Sequence, residues 1–267
     1  MAGAGAFSVV IPARYGSTRF PGKPLAMLGG RPMILHTCDR ARESGARRII
    51  VATDHDDVLE VCAREGVEAL LTRKDHESGT DRLAEVTRRL ALPARHIVVN
   101  LQGDEPLMPP DFIRRVAVTL SGEQTAPVAT LITPLRHPHE LHDANVVKAI
   151  CDKQGYALYF SRAPVPWDRQ QGGRPREVEG WFRHLGIYAY RAAFLRRFPD
   201  LAVPQLERKE SLEQLRVLWH GERILTTVVH GDRGPGIDTP KQLAEAEEQL
   251  SGKINDPPPS DGASESH

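Results

Sequence analysis

Short apolar, β-branched runs alternate along this chain with longer stretches whose apolar residues recur at helical spacing, and that alternation restricts the fold more than any other feature. Parallel neighbouring strands need a crossover of about a dozen residues or more, which a helix supplies. The pattern therefore predicts an α/β chain with a mostly parallel twisted sheet. Strands are predicted over residues 7–12, 48–53, 68–72, 96–102, 128–133, 146–151, 157–161, 184–190 and 224–230. Helices are predicted over 32–43, 56–65, 80–90, 110–120, 191–198, 206–219 and 240–250. Asp152-Lys-Gln-Gly-Tyr156 joins two of the strands, and its Gly155 suits a hairpin, so antiparallel pairing is expected to interrupt the parallel run there.

The 267 residues leave room for one large domain or two smaller ones. The 35 Lys and Arg balance 35 Asp and Glu, which excludes the basic footprint of a nucleic-acid-coating protein, so no nucleic-acid partner is expected. No apolar stretch approaches the ~18 residues of a membrane span. The opening Met1-Ala-Gly-Ala-Gly-Ala6 lacks the basic start and apolar run of a signal peptide, so a cytoplasmic protein with no membrane partner is expected. Cys38, Cys62 and Cys151 are widely spaced and form no C-x-x-C pair, and they read as reduced structural thiols. His137, His139 and His142 have ligand-like spacing. They lie in a Pro-interrupted polar stretch, however, which favours a solvated loop over a metal site. Residues 170–175 are too Gly-rich for an element and predict a mobile loop. The ends, 1–6 and 255–267, are expected to be disordered tails.

The chemistry concentrates after the first strand, in Ala13-Arg-Tyr-Gly-Ser-Thr-Arg-Phe-Pro-Gly-Lys23. Glycines let backbone N–H groups approach phosphate oxygens, and Arg14, Arg19 and Lys23 bring three positive charges within ten residues. Five residues separate Gly16 from Gly22, and Pro24 follows Lys23, so this is not a Walker loop. A polyphosphate is still its natural ligand, because the carboxyl end of a first strand is where open α/β sheets bind ligands. Val98-Val-Asn-Leu-Gln102-Gly-Asp104 ends a buried-looking strand in polar residues, and Asp104 is a candidate Mg²⁺ ligand beside the phosphates. In Gly234-Pro-Gly-Ile-Asp238-Thr-Pro240, Thr239 and Pro240 read as N-cap and first helical position, which leaves Asp238 outside the helix as a second carboxylate. Each segment alone could be an ordinary turn or cap. Together they predict a nucleotide-binding half over residues 7–125 and a mixed substrate-binding half over 126–250.

Several stretches then closely resemble the CMP-KDO synthetases, the 3-deoxy-manno-octulosonate cytidylyltransferases. They are Ile11-Pro-Ala-Arg-Tyr-Gly-Ser-Thr-Arg-Phe-Pro-Gly-Lys-Pro24, Ala52-Thr-Asp54, Thr72-Arg-Lys-Asp-His-Glu-Ser-Gly-Thr-Asp-Arg-Leu-Ala-Glu85 and Gln102-Gly-Asp-Glu-Pro106. The likeness continues through Tyr159-Phe-Ser-Arg162, Pro166-Trp-Asp-Arg169, Arg183-His-Leu-Gly-Ile-Tyr188, Leu212-Glu-Gln-Leu-Arg216 and Gly236-Ile-Asp-Thr-Pro240, in order over most of the chain. The resemblance implies a Rossmann-like nucleotide-binding half and a partly antiparallel sugar-binding and dimerisation half. It also implies a transferase that joins CTP to the acid sugar KDO, forming CMP-KDO and pyrophosphate for the lipopolysaccharide inner core, and a homodimer. Carried over by position, Arg14, Arg19, Lys23, Arg73 and Gln102 fall on the nucleotide, with Lys23 and Arg19 also catalytic. Asp104 and Asp238 fall on Mg²⁺, and Arg162, Arg169, His184, Tyr188, Glu213 and Gln214 on the sugar. Outside that match His184 would be an ordinary core histidine, and Glu213 and Gln214 a solvated helix face. A cytidylyltransferase for a related acid sugar is the neighbouring possibility. A noncatalytic nucleotide sensor is the other, against which the presence of Lys23, Asp104 and Asp238 argues.

Overall fold

The structure, a computed structural model, describes residues 6–16 and 20–255. Arg19 and, apart from Ala6 and Asn255, the two expected tails lie outside the described residues. The strands are β1 (Phe7–Ala13), β2 (Met27–Leu28), β3 (Arg31–Pro32), β4 (Arg48–Thr53), β5 (Glu68–Leu71), β6 (Ile97–Asn100), β7 (Val128–Pro134), β8 (Lys148–Cys151), β9 (Ala157–Ser161), β10 (Phe182–Arg191) and β11 (Ile224–Val228). The helices are α1 (Met33–Glu43), α2 (Asp56–Arg64), α3 (Gly79–Arg89), α4 (Pro110–Ser121), α5 (Pro138–His142), α6 (Ala192–Arg197), α7 (Gln205–Glu210), α8 (Gln214–Trp219) and α9 (Pro240–Asn255).

One continuous sheet runs in the order β11-β7-β10-β6-β1-β4-β5, with β8 and β9 branching from β10. β1 pairs in parallel with both β4 and β6, so it lies at the centre. All seven of its residues are buried, as expected for a strand covered on both faces. Val9 and Ile11 point into a core built with Ile34, Leu35 and Cys38 of α1, Val58 and Cys62 of α2 and Phe112, Ile113 and Val116 of α4. Val10 points the other way, into a core with Leu83 and Val86 of α3, Phe194 and Leu195 of α6 and Leu215 and Val217 of α8. The side-chain alternation of one strand thus organises a three-layer molecule.

β10 is the antiparallel insertion, pairing Tyr188 with Asn100 and Arg191 with Ile97. Its earlier residues, His184 among them, therefore extend past the carboxyl end of β6 onto the ligand-facing rim. The β8–β9 hairpin forms as expected, with Gly155 at φ +88°. Residues 206–219, predicted as one helix, instead form α7 and α8, because Ser211 takes φ +51° and breaks the run. The polar stretch holding the three histidines is not wholly loop. Pro138 opens the five-residue α5, and the Glu140 carboxylate accepts from the N–H of His137 at 2.9 Å. No group of three or more potential metal ligands occurs among the described residues. The last helix runs through Asn255, five residues beyond the 240–250 expected.

Candidate active site

The carboxyl ends of β1 and β6 approach so closely that a side chain between them would collide. A Cβ on Gly103 would lie 3.0 Å from the Pro12 carbonyl oxygen. The Gly103 N–H instead donates to that oxygen at 3.3 Å, and Thr37 of α1 donates to the Gly103 carbonyl at 3.2 Å. This pinning fixes where Asp104 emerges. The segment carrying Asp238 then docks on the same turn: Ile237 N–H donates to the Asp104 carbonyl at 2.8 Å. Asp104 and Asp238 consequently meet at one ammonium, with Lys23 Nζ 2.6 Å from Asp104 Oδ2 and 3.0 Å from Asp238 Oδ1. Burial opposes the charge on Lys23, but Asp104 first and then Asp238 outweigh it and raise the lysine pKa.

This acidic pair opens into a cleft of about 270 Å³. Arg14, Lys23, Gln102, Asp104 and Asp238 all line it, together with His76, Ser78, Gly79 and Arg82. Two carboxylates gathered around the Lys23 ammonium form a hard-oxygen donor set, and a phosphate and water would supply the rest of an octahedral shell, so these residues fit a Mg²⁺ ion. Thr239 caps α9, its hydroxyl accepting from Gln242 N–H at 3.3 Å, and Asp238 stands outside that cap.

Of the phosphate-loop arginines, Arg14 faces the cleft and Arg19 lies outside the described residues. Arg73 turns away from the cleft, its guanidinium bound to Asp75 at 2.9 and 2.6 Å. The neighbouring arginine missed in the sequence, Arg82, is only 2% exposed and lines the cleft wall. It donates to Asp54 Oδ2 at 3.1 Å and to Thr72, while Asp54 Oδ1 accepts from the Tyr15 N–H at 2.9 Å. One buried ion pair thus ties the start of the phosphate loop to the segment before α3. Its sequence signal was the Ser78-Gly-Thr-Asp81 capping box, which starts α3 at Gly79 and places Arg82 in its first turn. His76, also missed, lies 2.5 Å from Glu85, where burial opposes the carboxylate but the His76 bond and other donors outweigh it and lower the Glu85 pKa.

Of the residues that the resemblance assigns to the sugar, His184 and Tyr188 are brought together, and none of His184, Tyr188, Glu213 and Gln214 is among the residues that line the cleft. The His184 ring lies 5.2 Å from Tyr188 and edge-on to Phe160, with Nε2 2.9 Å from Thr130 Oγ1. Burial, with Arg233 adding, pushes the His184 pKa down to about 3, so the ring is neutral. Glu213 accepts from Thr80 at the start of α3, next to Ser78 and Gly79 in the cleft wall, and burial raises its pKa. The Tyr188 hydroxyl and the Gln214 Nε2 are buried without a hydrogen-bond partner. Two buried polar atoms without partners suit a ligand that brings hydroxyls. Arg162 donates to backbone carbonyls, and Arg169 is exposed beyond β9. Glu105, beside Asp104, was also missed. Its pKa is pushed up to about 8 by burial, against the opposing charge of Arg233, which donates to it at 2.6 Å.

A parallel-centred α/β sheet with a basic glycine loop after its first strand and an acidic pair on the same rim defines a nucleotidyltransferase. The cytidylyltransferase family pattern matches residues 8–224, and this chain belongs to that family. A 3-deoxy-manno-octulosonate cytidylyltransferase of Alkalilimnicola ehrlichii is 56% identical over 248 residues, covering 91% of this chain and 96% of that protein. A protein of the same name from Methylococcus capsulatus is 51% identical over 92% of this chain and 98% of its own length. A solved structure of CMP:2-keto-3-deoxy-manno-octonic acid synthetase complexed with CTP superposes with a TM-score of 0.85 at 39% identity, over 93% of this chain and all of that one.

Proposed function

We propose that the chain transfers the cytidylyl group of CTP to 3-deoxy-D-manno-octulosonate, releasing pyrophosphate and forming CMP-KDO. The observation that carries this is the meeting of Asp104, Asp238 and Lys23 at the mouth of a cleft that also holds Arg14 and Gln102.

The reaction is an in-line attack of the anomeric 2-hydroxyl of KDO on the α-phosphate, with pyrophosphate leaving, and no covalent enzyme intermediate is required. Lys23 and Arg14, with Arg19, bind the triphosphate and stabilise charge that grows on the leaving pyrophosphate, so they act more strongly in the transition state than before it. Gln102, whose Nε2 lies 3.4 Å from Asn100 Oδ1, helps place the cytidine. Asp104 and Asp238 would hold Mg²⁺, which would supply Lewis-acid polarisation of the α-phosphate and lower the pKa of a neighbouring hydroxyl. Tyr188, Glu213 and Gln214 present polar atoms to the sugar hydroxyls, and neutral His184 orients beside them.

The same reading includes a cytoplasmic homodimer supplying lipopolysaccharide inner-core synthesis. No helix among the described residues is long and apolar enough to cross a membrane. Leu158 is 60% exposed on β9, which among the described residues pairs with β8 alone, and offers apolar surface to a second copy. Sedimentation tests the dimer. Pyrophosphate release tests the activity: turnover is expected with CTP and KDO, and comparable turnover with GTP at equal concentration, or a preference for a sialic acid over KDO, overturns the assignment.

A further inference from the structure

Arg162 follows β9 with its side chain committed to the protein itself. Its Nε donates to the Glu210 carbonyl at 2.7 Å, one terminal nitrogen to Ala144 O at 2.8 Å and the other to Ser211 O at 3.5 Å. Its backbone N–H donates to Glu210 Oε2 at 2.9 Å, and the Ser161 hydroxyl donates to Glu210 Oε1 at 2.6 Å. Beneath them lies the fully buried Lys148, whose ammonium donates to Arg162 O at 2.7 Å and Asp143 O at 2.9 Å.

The carbonyls of Glu210 and Ser211 end α7, where a helix leaves acceptors without internal partners. Arg162 therefore acts as the cap of that helix, supplied from 48 residues away. Ser211 takes its left-handed conformation at this cap, and the chain turns into α8. The elbow is braced again by Arg216 of α8, which donates to Glu207 of α7 at 2.8 and 2.5 Å. Glu213 and Gln214 follow Ser211 with only Leu212 between, so the angle of the elbow decides where they point.

We propose that Arg162 is a positioning residue: through Glu210 and the Ser211 turn it sets Glu213 and Gln214 against the sugar, and it does not read the sugar's carboxylate. This rests on the sugar-facing role given above to Glu213 and Gln214. A cation that reads a carboxylate acts through its charge, which Lys also carries. A cation that caps three carbonyls acts through the guanidinium fork, which Lys lacks.

The test uses the full-length enzyme and the variants Arg162→Lys, Glu210→Ala and the double variant, with KM for KDO and CTP measured separately and with competition by the C1 amide of KDO. Arg162→Lys and Glu210→Ala should each raise KM for KDO about tenfold and leave KM for CTP within about twofold. The double variant should be no worse than the poorer single, as expected for two parts of one unit. The preference for KDO over its amide should persist in all three. Near-wild-type kinetics of Arg162→Lys, a multiplicative double variant, or loss of the carboxylate preference overturns the proposal. Calorimetric CTP binding shows whether each variant is folded. If Arg162→Lys does not fold, Glu210→Ala decides alone, and a wild-type KM for KDO in that variant overturns the proposal. A wild-type enzyme inert toward KDO but active on another acid sugar would sink the substrate assignment instead, and the elbow would then be tested with that sugar.

Discussion

Asp238→Asn separates a metal-holding carboxylate from a structural one without changing its shape. Asp238 Oδ1 accepts from Lys23 at 3.0 Å with its side chain 41% exposed. An ion pair that open contributes at most ~1 kcal/mol once solvent screening is counted, and the Asn oxygen still accepts from the ammonium. The start of α9 is secured independently by Thr239, so no cap is lost. At roughly 2–4 °C per kcal/mol for a chain of this size, the melting temperature should fall by no more than about 4 °C. Catalysis is a different matter, because Asn lacks the charge that holds a hard cation beside the α-phosphate. Removing one transition-state electrostatic partner costs about 10²-fold, ~2.7 kcal/mol on the barrier. Kinetics over a Mg²⁺ titration, run beside thermal unfolding, read both quantities on one preparation. The expected result is turnover down by about two orders of magnitude, a raised Mg²⁺ requirement and a nearly native melt. Turnover within about twofold of wild type with an unchanged metal requirement would remove Asp238 from the site and leave Asp104 without its partner.

Lys23→Ala should lower turnover about tenfold or more while thermal unfolding still shows a cooperative fold, and a change below about twofold, ~0.4 kcal/mol, would show that Lys23 does not clamp the phosphates. Gly103→Ala forces a methyl to within 3.0 Å of the Pro12 oxygen. It should cost ~1–3 kcal/mol of stability, read by denaturant unfolding, together with turnover as Asp104 shifts, and an unchanged midpoint would mean that the turn yields freely. The His184 pKa is depressed to about 3 in the folded chain and returns to its ordinary 6.5 on unfolding. Its contribution to stability is therefore complete above pH 6.5 and is lost as pH falls toward 3, by up to about 1.4 kcal/mol per unit. Denaturant titrations between pH 6.5 and 4.5 should give a shallower pH slope for His184→Gln, and identical slopes would contradict the buried, neutral ring.

The sheet was legible because a central strand buried on both faces must be apolar throughout. Residues 48–53 and 157–161 were read with the boundaries that β4 and β9 have. The break between α7 and α8 was not legible, since apolar spacing continues through it and Arg162, which caps the Glu210 carbonyl there, is 48 residues distant. Local periodicity carries no trace of so remote a cap. The site divides in the same way. Lys23, Asp104 and Asp238 could be picked out as strand-end residues of suitable chemistry, whereas Glu213 and Gln214 were lifted from a solvated helix face only by the ordered family match. Between Arg73 and Arg82, charge alone offers no choice. Asp75 lies two residues from Arg73 and occupies it, whereas Arg82 turns inward only because the Ser78 box sets the phase of α3.

The pairing of Lys23 with Asp238 spans 215 residues, against 81 for Lys23 with Asp104. During synthesis the phosphate loop and Asp104 leave the ribosome while more than half the chain is still to come, so the first strands can pair and α1 to α4 can pack before Asp238 exists. Closing the longer loop costs only about 0.9 kcal/mol more in chain entropy than closing the shorter one, a small penalty once the sheet is in place. What delays activity is the order of emergence, since domains form from their N-terminal parts first during translation. A nascent chain that stops short of Asp238 therefore carries much of its nucleotide cleft with half its acidic pair, and catalytic competence arrives with the docking of Ile237 on Asp104, among the last long-range contacts this polypeptide can make.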